Sequence, residues 1–351
     1  MVGARPQFVK LGPLSRALRR HAEEVVVHTG QHYDREMSEA FFDELSLPRP
    51  DRHLGIRSGP HGRMTGRMIE ALEQVIVETA PALVVVLGDT NSTLAGALAA
   101  AKLGVPVAHV EAGLRSFDPR MPEEINRRLT DHASRLLFCP TPAAVANLRA
   151  EGIRRGVHRS GDVTMDAVRE NLARALGGPR HPAADAPGQY YLATVHRQQN
   201  VEDGRRLPDI LSALQSLPLP TVFPAHPRTR RRLAELGLAA DGRVRLIPPQ
   251  PYLGMLRLVK EASAVLTDSG GLQKEAFILG TPCVTLRDST EWTETVESGA
   301  NQLAGTDPRR IQAAVRRLQR LRPRWRASRF YGDGRAAERI AEVIRRFLAG
   351  R

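Results

Sequence analysis

Lysine, aromatics, cysteine and long apolar runs are all scarce in this chain of 351 residues, and each scarcity excludes something. Only Lys10, Lys102, Lys260 and Lys274 are lysine among 51 basic residues, so the net charge of +13 is carried by arginine spread along the whole chain. The cluster Arg228, Arg230, Arg231 and Arg232 has no interleaved aromatic, and aromatics make up only 5% of the sequence. A stacking surface for nucleic acid is therefore not expected, and most arginines read as solvated helix faces. The two cysteines, Cys139 and Cys283, each lie in an apolar, strand-like context (Leu136-Leu-Phe-Cys and Pro282-Cys-Val-Thr-Leu), which suggests buried thiols in a reducing compartment. No disulfide framework and no metal-ligand cluster follows from them. No apolar run approaches the length of a membrane span, and the first residues lack a signal-peptide pattern, so the expectation is a cytoplasmic protein with no membrane partner.

Three hundred and fifty-one residues exceed one ordinary core, which predicts two α/β domains. Short, continuous apolar strands alternate with helical segments: Val25-Val-Val-His-Thr, Ala82-Leu-Val-Val-Val-Leu, Val105-Pro-Val-Ala-His-Val and Leu136-Leu-Phe-Cys-Pro. Tyr190-Tyr-Leu-Ala-Thr-Val-His196, Thr221-Val-Phe-Pro-Ala-His226, Val244-Arg-Leu-Ile, Ala264 to Thr267 and Cys283-Val-Thr-Leu form a second series. That alternation means parallel, doubly wound sheets, here two Rossmann-like domains facing a cleft. Between the series, the Pro/Gly-rich segment from Gly177 to Gly188 marks a loop near the domain change. Ligands of such sheets bind at the carboxyl ends of the strands, so the polar residues just after them carry most of the functional information. These are Gln31 and His32, then Gly88-Asp89-Thr90-Asn91, then Glu111-Ala-Gly-Leu-Arg115.

The most organised stretch is Val265-Leu-Thr-Asp-Ser-Gly-Gly-Leu-Gln-Lys-Glu275, a buried strand running through a glycine turn into a helix. Without side chains at Gly270 and Gly271, backbone N–H groups can close on a phosphate, and the helix adds its unpaired donors and positive dipole end. Glu275, one turn inside, can accept from ribose hydroxyls. Two adjacent glycines are by themselves a weak signal, and alone they favour an ordinary strand-to-helix turn that uses glycine for geometry. At the other end, Met1-Val-Gly-Ala-Arg-Pro-Gln-Phe-Val-Lys10 has the form of a strand end, a turn and a helix entry, with Arg5 and Lys10 spaced to aim at one anion. Its strand is nearly absent. A buried strand needs about five residues, so either the start lies further upstream or the natural chain has lost it.

Together, Gly3-Ala-Arg-Pro-Gln-Phe-Val-Lys10, Thr29-Gly-Gln-His, Gly88-Asp-Thr, His109-Val-Glu-Ala-Gly-Leu-Arg115, Pro122-Glu-Glu-Ile-Asn-Arg-Arg128, Thr194-Val-His-Arg, His226-Pro-Arg-Thr and Thr267-Asp-Ser-Gly-Gly resemble the non-hydrolysing UDP-N-acetylglucosamine 2-epimerases, in order and over nearly the whole chain. The resemblance implies a glycosyltransferase-B-like fold. It also implies elimination of UDP from the sugar to a 2-acetamidoglucal, followed by re-addition with the C2 proton on the other face. It assigns residues 1–168 to the domain with the catalytic carboxylates, 169–329 to the UDP-binding domain, and 330–351 to a C-terminal helix packing back on the first domain.

No carbonyl acidifies the sugar's C2 proton, so its removal must accompany departure of UDP, and general acid/base groups are needed at both faces. Asp89, Glu111 and Glu123 match the family's catalytic acids, and His196 matches the histidine that contacts the leaving diphosphate. Arg5 and Lys10 match cations at the substrate, Ser269, Gly270, Gly271 and Glu275 match phosphate and ribose contacts, and Gln250 matches a uracil-side contact. Met255 stands near the uracil where many relatives have an aromatic residue. Trp292 stands where the best-known members carry arginine, and resembles the branch acting on UDP-2,3-diacetamido-2,3-dideoxyglucuronate. Gln31, His32, Arg197 and His226 resemble the family's allosteric substrate site, while Asp34 and Met64 depart from it. Each carboxylate has a plainer reading: Asp89 could cap a helix starting near Ser92, and Glu123 and Glu124 suit the first turn of a helix after Pro122.

The resulting expectation is a UDP-N-acetylglucosamine 2-epimerase, with a UDP-sugar as substrate, neither metal nor nicotinamide as cofactor, and a homodimer as assembly. The alternatives are the diacetamido-uronate 2-epimerase and a UDP-sugar glycosyltransferase sharing the fold.

Overall fold

The computed structural model describes residues 1–30, 41–57, 59–238, 242–321 and 324–350, with the side chains of Arg5 and Leu321 outside the description. The chain forms two compact units, Met1–Arg169 with Ser328–Arg351, and Glu170–Ala327.

In chain order the elements of the first part are α1 (Arg5–Leu18), β1 (Val27–His28), β2 (Arg52–His53), α2 (His61–Thr79), β3 (Val84–Leu87), α3 (Asn91–Lys102), β4 (Val107–Val110), α4 (Pro122–Ala133), β5 (Leu136–Cys139), α5 (Pro142–Ala150), β6 (Val157–Arg159) and α6 (Val163–Gly177). Four strands pair in the order β3-β4-β5-β6, and β1 pairs separately with β2, all parallel. The strands β3 and β5 are apolar end to end, as in a parallel sheet covered on both faces. The helix α3 shows the cost of that position: Ala95, Ala97, Ala99 and Ala100 are fully buried against the α2 and β3 core, so small residues are required along it. Cys139 ends β5 and is buried, which pushes its thiol up to about 12.

The second unit contains β7 (Tyr191–Thr194), α7 (Gln198–Glu202), α8 (Arg206–Gln215), β8 (Thr221–Pro224), α9 (Pro227–Glu235), β9 (Val244–Ile247), α10 (Tyr252–Glu261), β10 (Ala264–Thr267), α11 (Gly270–Leu279), β11 (Cys283–Thr285), α12 (Thr293–Glu297), β12 (Asn301–Leu303) and α13 (Pro308–Leu321). Its six strands run parallel in the order β12-β11-β10-β7-β8-β9. The chain builds outward from β7 in one direction and from β10 in the other, so the topological switch lies between these two neighbours, where ligands of such sheets bind. Cys283 is buried too.

Two helices complete the first unit, α14 (Ser328–Tyr331) and α15 (Ala336–Ala349). The carboxylate of Asp166 accepts from the N–H groups of Ala336 and Ala337 at 3.2 and 2.9 Å, satisfying donors at the start of α15, and α15 packs on α1.

Candidate active site

In the first unit the turns after β3 and β4 carry two of the expected carboxylates. Gly88 has φ +66°, and a Cβ there would lie 3.2 Å from Glu111 Oε2 and 3.7 Å from Lys10 Nζ. The backbone has to be bare at this point because the Lys10–Glu111 ion pair occupies the space a side chain would fill. Glu111 itself has φ +77°, a conformation that costs a non-glycine residue on the order of 1–3 kcal/mol. Its N–H and that of Ala112 both donate to Phe138 O at 3.1 Å, which holds the turn against that strain.

Asp89 is held from α4. Its Oδ2 accepts from Arg127 Nη2 at 2.6 Å, and its carbonyl accepts from Asn126 Nδ2 at 2.9 Å. It does not cap α3: Thr90 is the N-cap, with its hydroxyl accepting from Thr93 N at 3.3 Å. The adjacent acids of α4 are divided in role. Glu124 is buried and accepts from Ser116 N at 2.8 Å, Ser116 Oγ at 2.9 Å and Arg127 Nη1 at 3.1 Å. Glu123 is half-buried, and among the described residues it has no hydrogen-bond or ion-pair partner.

Behind both turns lies a fully buried charge cluster. Asp131 Oδ1 meets His109 Nδ1 at 2.7 Å, and Asp131 Oδ2 accepts from Arg115 Nη1 at 2.8 Å and Gly113 N at 3.1 Å. His109 Nε2 lies 2.7 Å from the carbonyl of Gly88. One carboxylate thus ties the turn bearing Asp89, through His109, to the turn bearing Glu111, through Gly113. Burial alone would push Asp131 up, but His109 and Arg115 outweigh it and hold its carboxyl below the ordinary range. Arg115 also pairs with Glu151 at 2.7 Å.

Near the chain start, Gln7 Oε1 accepts from Gly3 N and Ala4 N at 2.7 and 3.0 Å while its Nε2 donates to Leu87 O at 2.8 Å. This amide fixes the entry of α1, and with it Lys10, to the end of β3. Arg5 is the first residue of α1. Gln31 and His32 lie outside the described residues.

In the second unit the site forms at the ends of β7 and β10. Asp268, fully buried after β10, accepts from His196 N at 3.1 Å, Arg197 N at 3.0 Å and Asn200 Nδ2 at 3.1 Å. His196 therefore projects from a backbone locked by Asp268, with about half of its side chain exposed at 49%. Dense protein around the imidazole, with help from the Arg197 and Arg228 cations, outweighs the Asp268 carboxylate and holds the His196 pKa below the ordinary histidine value. Ser269 caps α11, its hydroxyl accepting from Leu272 N at 3.4 Å, and Gly270 opens the helix. A Cβ at Gly270 would fall 2.1 Å from Glu291 Oε1 and 3.4 Å from Trp292 Nε1, so close packing beneath the turn, not a positive φ, requires glycine there. Gly271 is exposed and Glu275 lies one turn further along α11, half-buried.

Trp292 is buried at 3% exposure under this turn, with Lys274 Nζ 4.2 Å above its ring. Gln250, whose Nε2 donates to Pro248 O at 2.8 Å, and half-buried Met255 flank the start of α10 beyond β9. His226 caps α9, its Nδ1 accepting from Arg228 N at 3.2 Å, a structural duty.

The first unit thus joins Lys10, Asp89 and Glu111, and the second joins His196, Arg197 and the Ser269 turn with Trp292 below it. Sequence reasoning assigned no role to Gln7, Arg127, Asp131 or Asp268, although Gln7, Arg127 and Asp268 stand inside stretches that carried the resemblance. Among the described residues no group of His, Cys, Asp or Glu could hold a metal ion, and no helix is long and apolar enough to cross a membrane.

Known proteins resemble this chain over nearly its whole length. The family model described as UDP-N-acetylglucosamine 2-epimerase matches residues 16–345. The chain is 47% identical over 352 residues to the UDP-2,3-diacetamido-2,3-dideoxy-D-glucuronate 2-epimerase of Pseudomonas aeruginosa, covering 98% of each chain. It is 46% identical over 354 residues to a UDP-N-acetylglucosamine 2-epimerase homolog of Methanococcus maripaludis, again covering 98% of each. The crystal structure of the Methanocaldococcus jannaschii UDP-GlcNAc 2-epimerase in complex with UDP-GlcNAc and UDP superposes with a TM-score of 0.92 at 43% identity, covering 98% of each chain. The fold is the two-unit, glycosyltransferase-B-like α/β class, and the chain belongs to the UDP-N-acetylglucosamine 2-epimerase family.

Proposed function

We propose that the protein interconverts UDP-N-acetylglucosamine and UDP-N-acetylmannosamine by elimination and re-addition of UDP. The observation that carries this reading is Glu111, held in a left-handed backbone conformation against Lys10 and directly beside the Gly88-Asp89 turn. Structural carboxylates rarely need such strain, whereas a reacting group whose position must be exact is a common place for it.

Breaking the C2–H bond leaves an electron pair that forms the C1–C2 double bond as the C1–O bond breaks and UDP departs. The proton goes to a carboxylate, and the return step delivers a proton to the opposite face of C2 while a diphosphate oxygen re-forms the bond to C1. Asp89 and Glu111 are each held by a cation, Arg127 and Lys10 respectively, which supports precisely oriented carboxylates. Glu123, without an ion-pair partner among the described residues, can gain and lose a proton without breaking a salt bridge.

In the second unit His196 and the bare N–H groups of the Ser269-Gly270-Gly271 turn are the diphosphate ligands, with Glu275 on the ribose and Gln250 and Met255 toward the uracil. We assign Arg5 to the substrate as well, and Gln31, His32, Arg197 and His226 to a second, regulatory substrate site. The expected assembly is a homodimer in the cytoplasm, for which light scattering of the purified protein is the direct check.

A second reading is favoured by one relative and one residue. The Pseudomonas aeruginosa diacetamido-uronate epimerase is as similar as any of the plain-sugar relatives described above, and Trp292 lies directly beneath the phosphate turn. Competition between UDP-N-acetylglucosamine and the diacetamido uronate at equal concentration, followed by NMR in D2O, separates the two. Turnover of the plain sugar with the higher kcat/KM supports the proposal; an inert plain sugar beside an epimerising uronate overturns it.

A further inference from the structure

Trp292 is buried beneath the Ser269-Gly270 turn, and both of its backbone polar groups are engaged. Its N–H donates to Thr290 Oγ1 at 3.2 Å, and its carbonyl accepts from Thr295 Oγ1 at 2.7 Å and Thr295 N at 3.1 Å. Each threonine is held in turn by a buried amide. Thr290 Oγ1 donates to Gln273 Oε1 at 2.7 Å, and Thr295 Oγ1 accepts from Asn301 Nδ2 at 3.0 Å. Gln273 Oε1 also accepts from Asn301 Nδ2 at 3.4 Å, which closes the ring, and Thr285 Oγ1 donates to Asn301 Oδ1 at 2.8 Å, which ties it to β11. Gln273, Thr285, Thr295 and Asn301 are fully buried.

The indole is fixed as well as the backbone. Lys274, buried in the second turn of α11, places its Nζ 4.2 Å from the ring centroid, while the indole Nε1 stands 3.4 Å from where a Cβ of Gly270 would fall. The ring is wedged between the first and fifth residues of the helix that opens at the turn. An aromatic that only fills a core is held by apolar neighbours. Here polar side chains from α11, α12, β12 and the loop before α12 converge on one residue, and a buried polar network of this kind specifies a single arrangement.

We propose that Trp292 is a positioning residue for the diphosphate. Its indole backs the glycine turn so that the N–H groups of Gly270 and Gly271 stay aimed at the phosphates, and Gln273 and Asn301 set the depth of the indole. Two adjacent glycines have more backbone freedom than any other pair, so a rigid wall behind them lowers the ordering that binding requires. The inference rests on the turn being the phosphate site of the proposed function, and it gives Trp292 a duty that either candidate sugar needs.

Calorimetry with UDP and with uridine isolates the phosphate contribution. Trp292→Leu, which leaves a void under the turn, should lose about tenfold or more in UDP affinity while uridine affinity is unchanged. Trp292→Phe keeps a ring there and should recover most of the loss. Gln273→Met keeps the length of the side chain but removes the acceptor of Thr290 and Asn301; it should show the same phosphate-specific weakening with a smaller factor, and it decides the matter if Trp292→Leu does not fold. Each variant should keep the wild-type preference between UDP-N-acetylglucosamine and the diacetamido uronate. Equal weakening of UDP and uridine, or intact UDP affinity in the folded variants, overturns the proposal. An inverted sugar preference with intact UDP affinity overturns it too, and makes Trp292 a specificity residue. A wild-type protein that binds no UDP is a different failure, since it removes the functional reading and this inference together.

Discussion

Replacing Asp131 with asparagine tests whether one buried carboxylate holds the reacting turns. Asp131 is fully buried and serves three partners, His109 at 2.7 Å, Arg115 at 2.8 Å and Gly113 N at 3.1 Å. An asparagine of nearly the same size keeps one acceptor and presents an NH2 group where a second acceptor is needed. Removing one side of a buried charge pair costs about 3–5 kcal/mol. Arg115 retains Glu151, so the lower end, about 3 kcal/mol, is expected. That is a large part of the roughly 5–15 kcal/mol that holds a domain folded.

The assay exploits a feature of the sequence: both tryptophans, Trp292 and Trp325, belong to the second unit. In urea, the far-UV CD transition should acquire an earlier component from the first unit while the tryptophan transition stays in place. UDP affinity should be retained and turnover should fall at least about tenfold, because the turns carrying Asp89 and Glu111 lose their common tether. The pH dependence has a definite sign. Asp131 is held below its ordinary carboxylate value in the folded state, so its stabilisation is present above that value and is lost as pH falls through the folded pKa. The variant should lose this part of the acid sensitivity. Unchanged CD midpoint and turnover in Asp131→Asn would refute the tether.

Three further outcomes are expected. Asp89→Asn, Glu111→Gln and Glu123→Gln should each bind UDP yet lose about 10²–10⁴-fold in turnover, and near-normal rates in all three would remove the carboxylates from the chemistry. His196→Ala should weaken UDP by about 1.5–3 kcal/mol in calorimetry. In the intact protein, UDP should raise the depressed His196 pKa, so affinity falls as pH rises through the bound-state value; an NMR titration in which UDP leaves that resonance unmoved would place His196 elsewhere. Gly270→Ala should weaken UDP with little effect on the first unit, since the new methyl meets Glu291, itself paired with Arg287 at 3.1 Å and unable to yield freely. Unaltered UDP affinity would show that the phosphate does not sit on this turn.

The sequence made the strands legible because both sheets are parallel and covered on both faces. Val84 to Leu87 has no polar position to obscure it, and Asp89 just beyond marks the carboxyl end of the strand. The strand-to-helix turn was legible for a similar reason, since Ser269-Gly270-Gly271 joins such a strand to a helix. Helix caps were harder, because several neighbours have the right chemistry. Asp89 and Thr90 are both good caps by type, and only the geometry gives the role to Thr90 and leaves Asp89 to Arg127. Glu123 and Glu124 are likewise indistinguishable as letters. One faces inward onto Ser116 and Arg127, and the side each takes depends on the helix phase relative to a loop seven or eight residues upstream.

The groups that position the site were the least legible, and the reason is physical. A carboxylate proposed for catalysis sits at a strand end, where sequence pattern points, but its support comes from a residue whose partner is remote in the chain. Asp131 reaches His109 across 22 positions, Gln7 reaches Leu87 across 80, and Asp268 reaches His196 across 72. None of these has a spacing that periodicity can reveal. Each fixes a backbone turn through its N–H or carbonyl, and any polar residue of the right reach could do so in another fold. What singles them out is burial without loss of partners: a fully buried aspartate in either unit is tolerable only when its acceptor sites are used. Each unit holds a buried aspartate that accepts from the backbone just beyond a parallel strand, Asp131 from Gly113 N after β4 and Asp268 from His196 N and Arg197 N after β7.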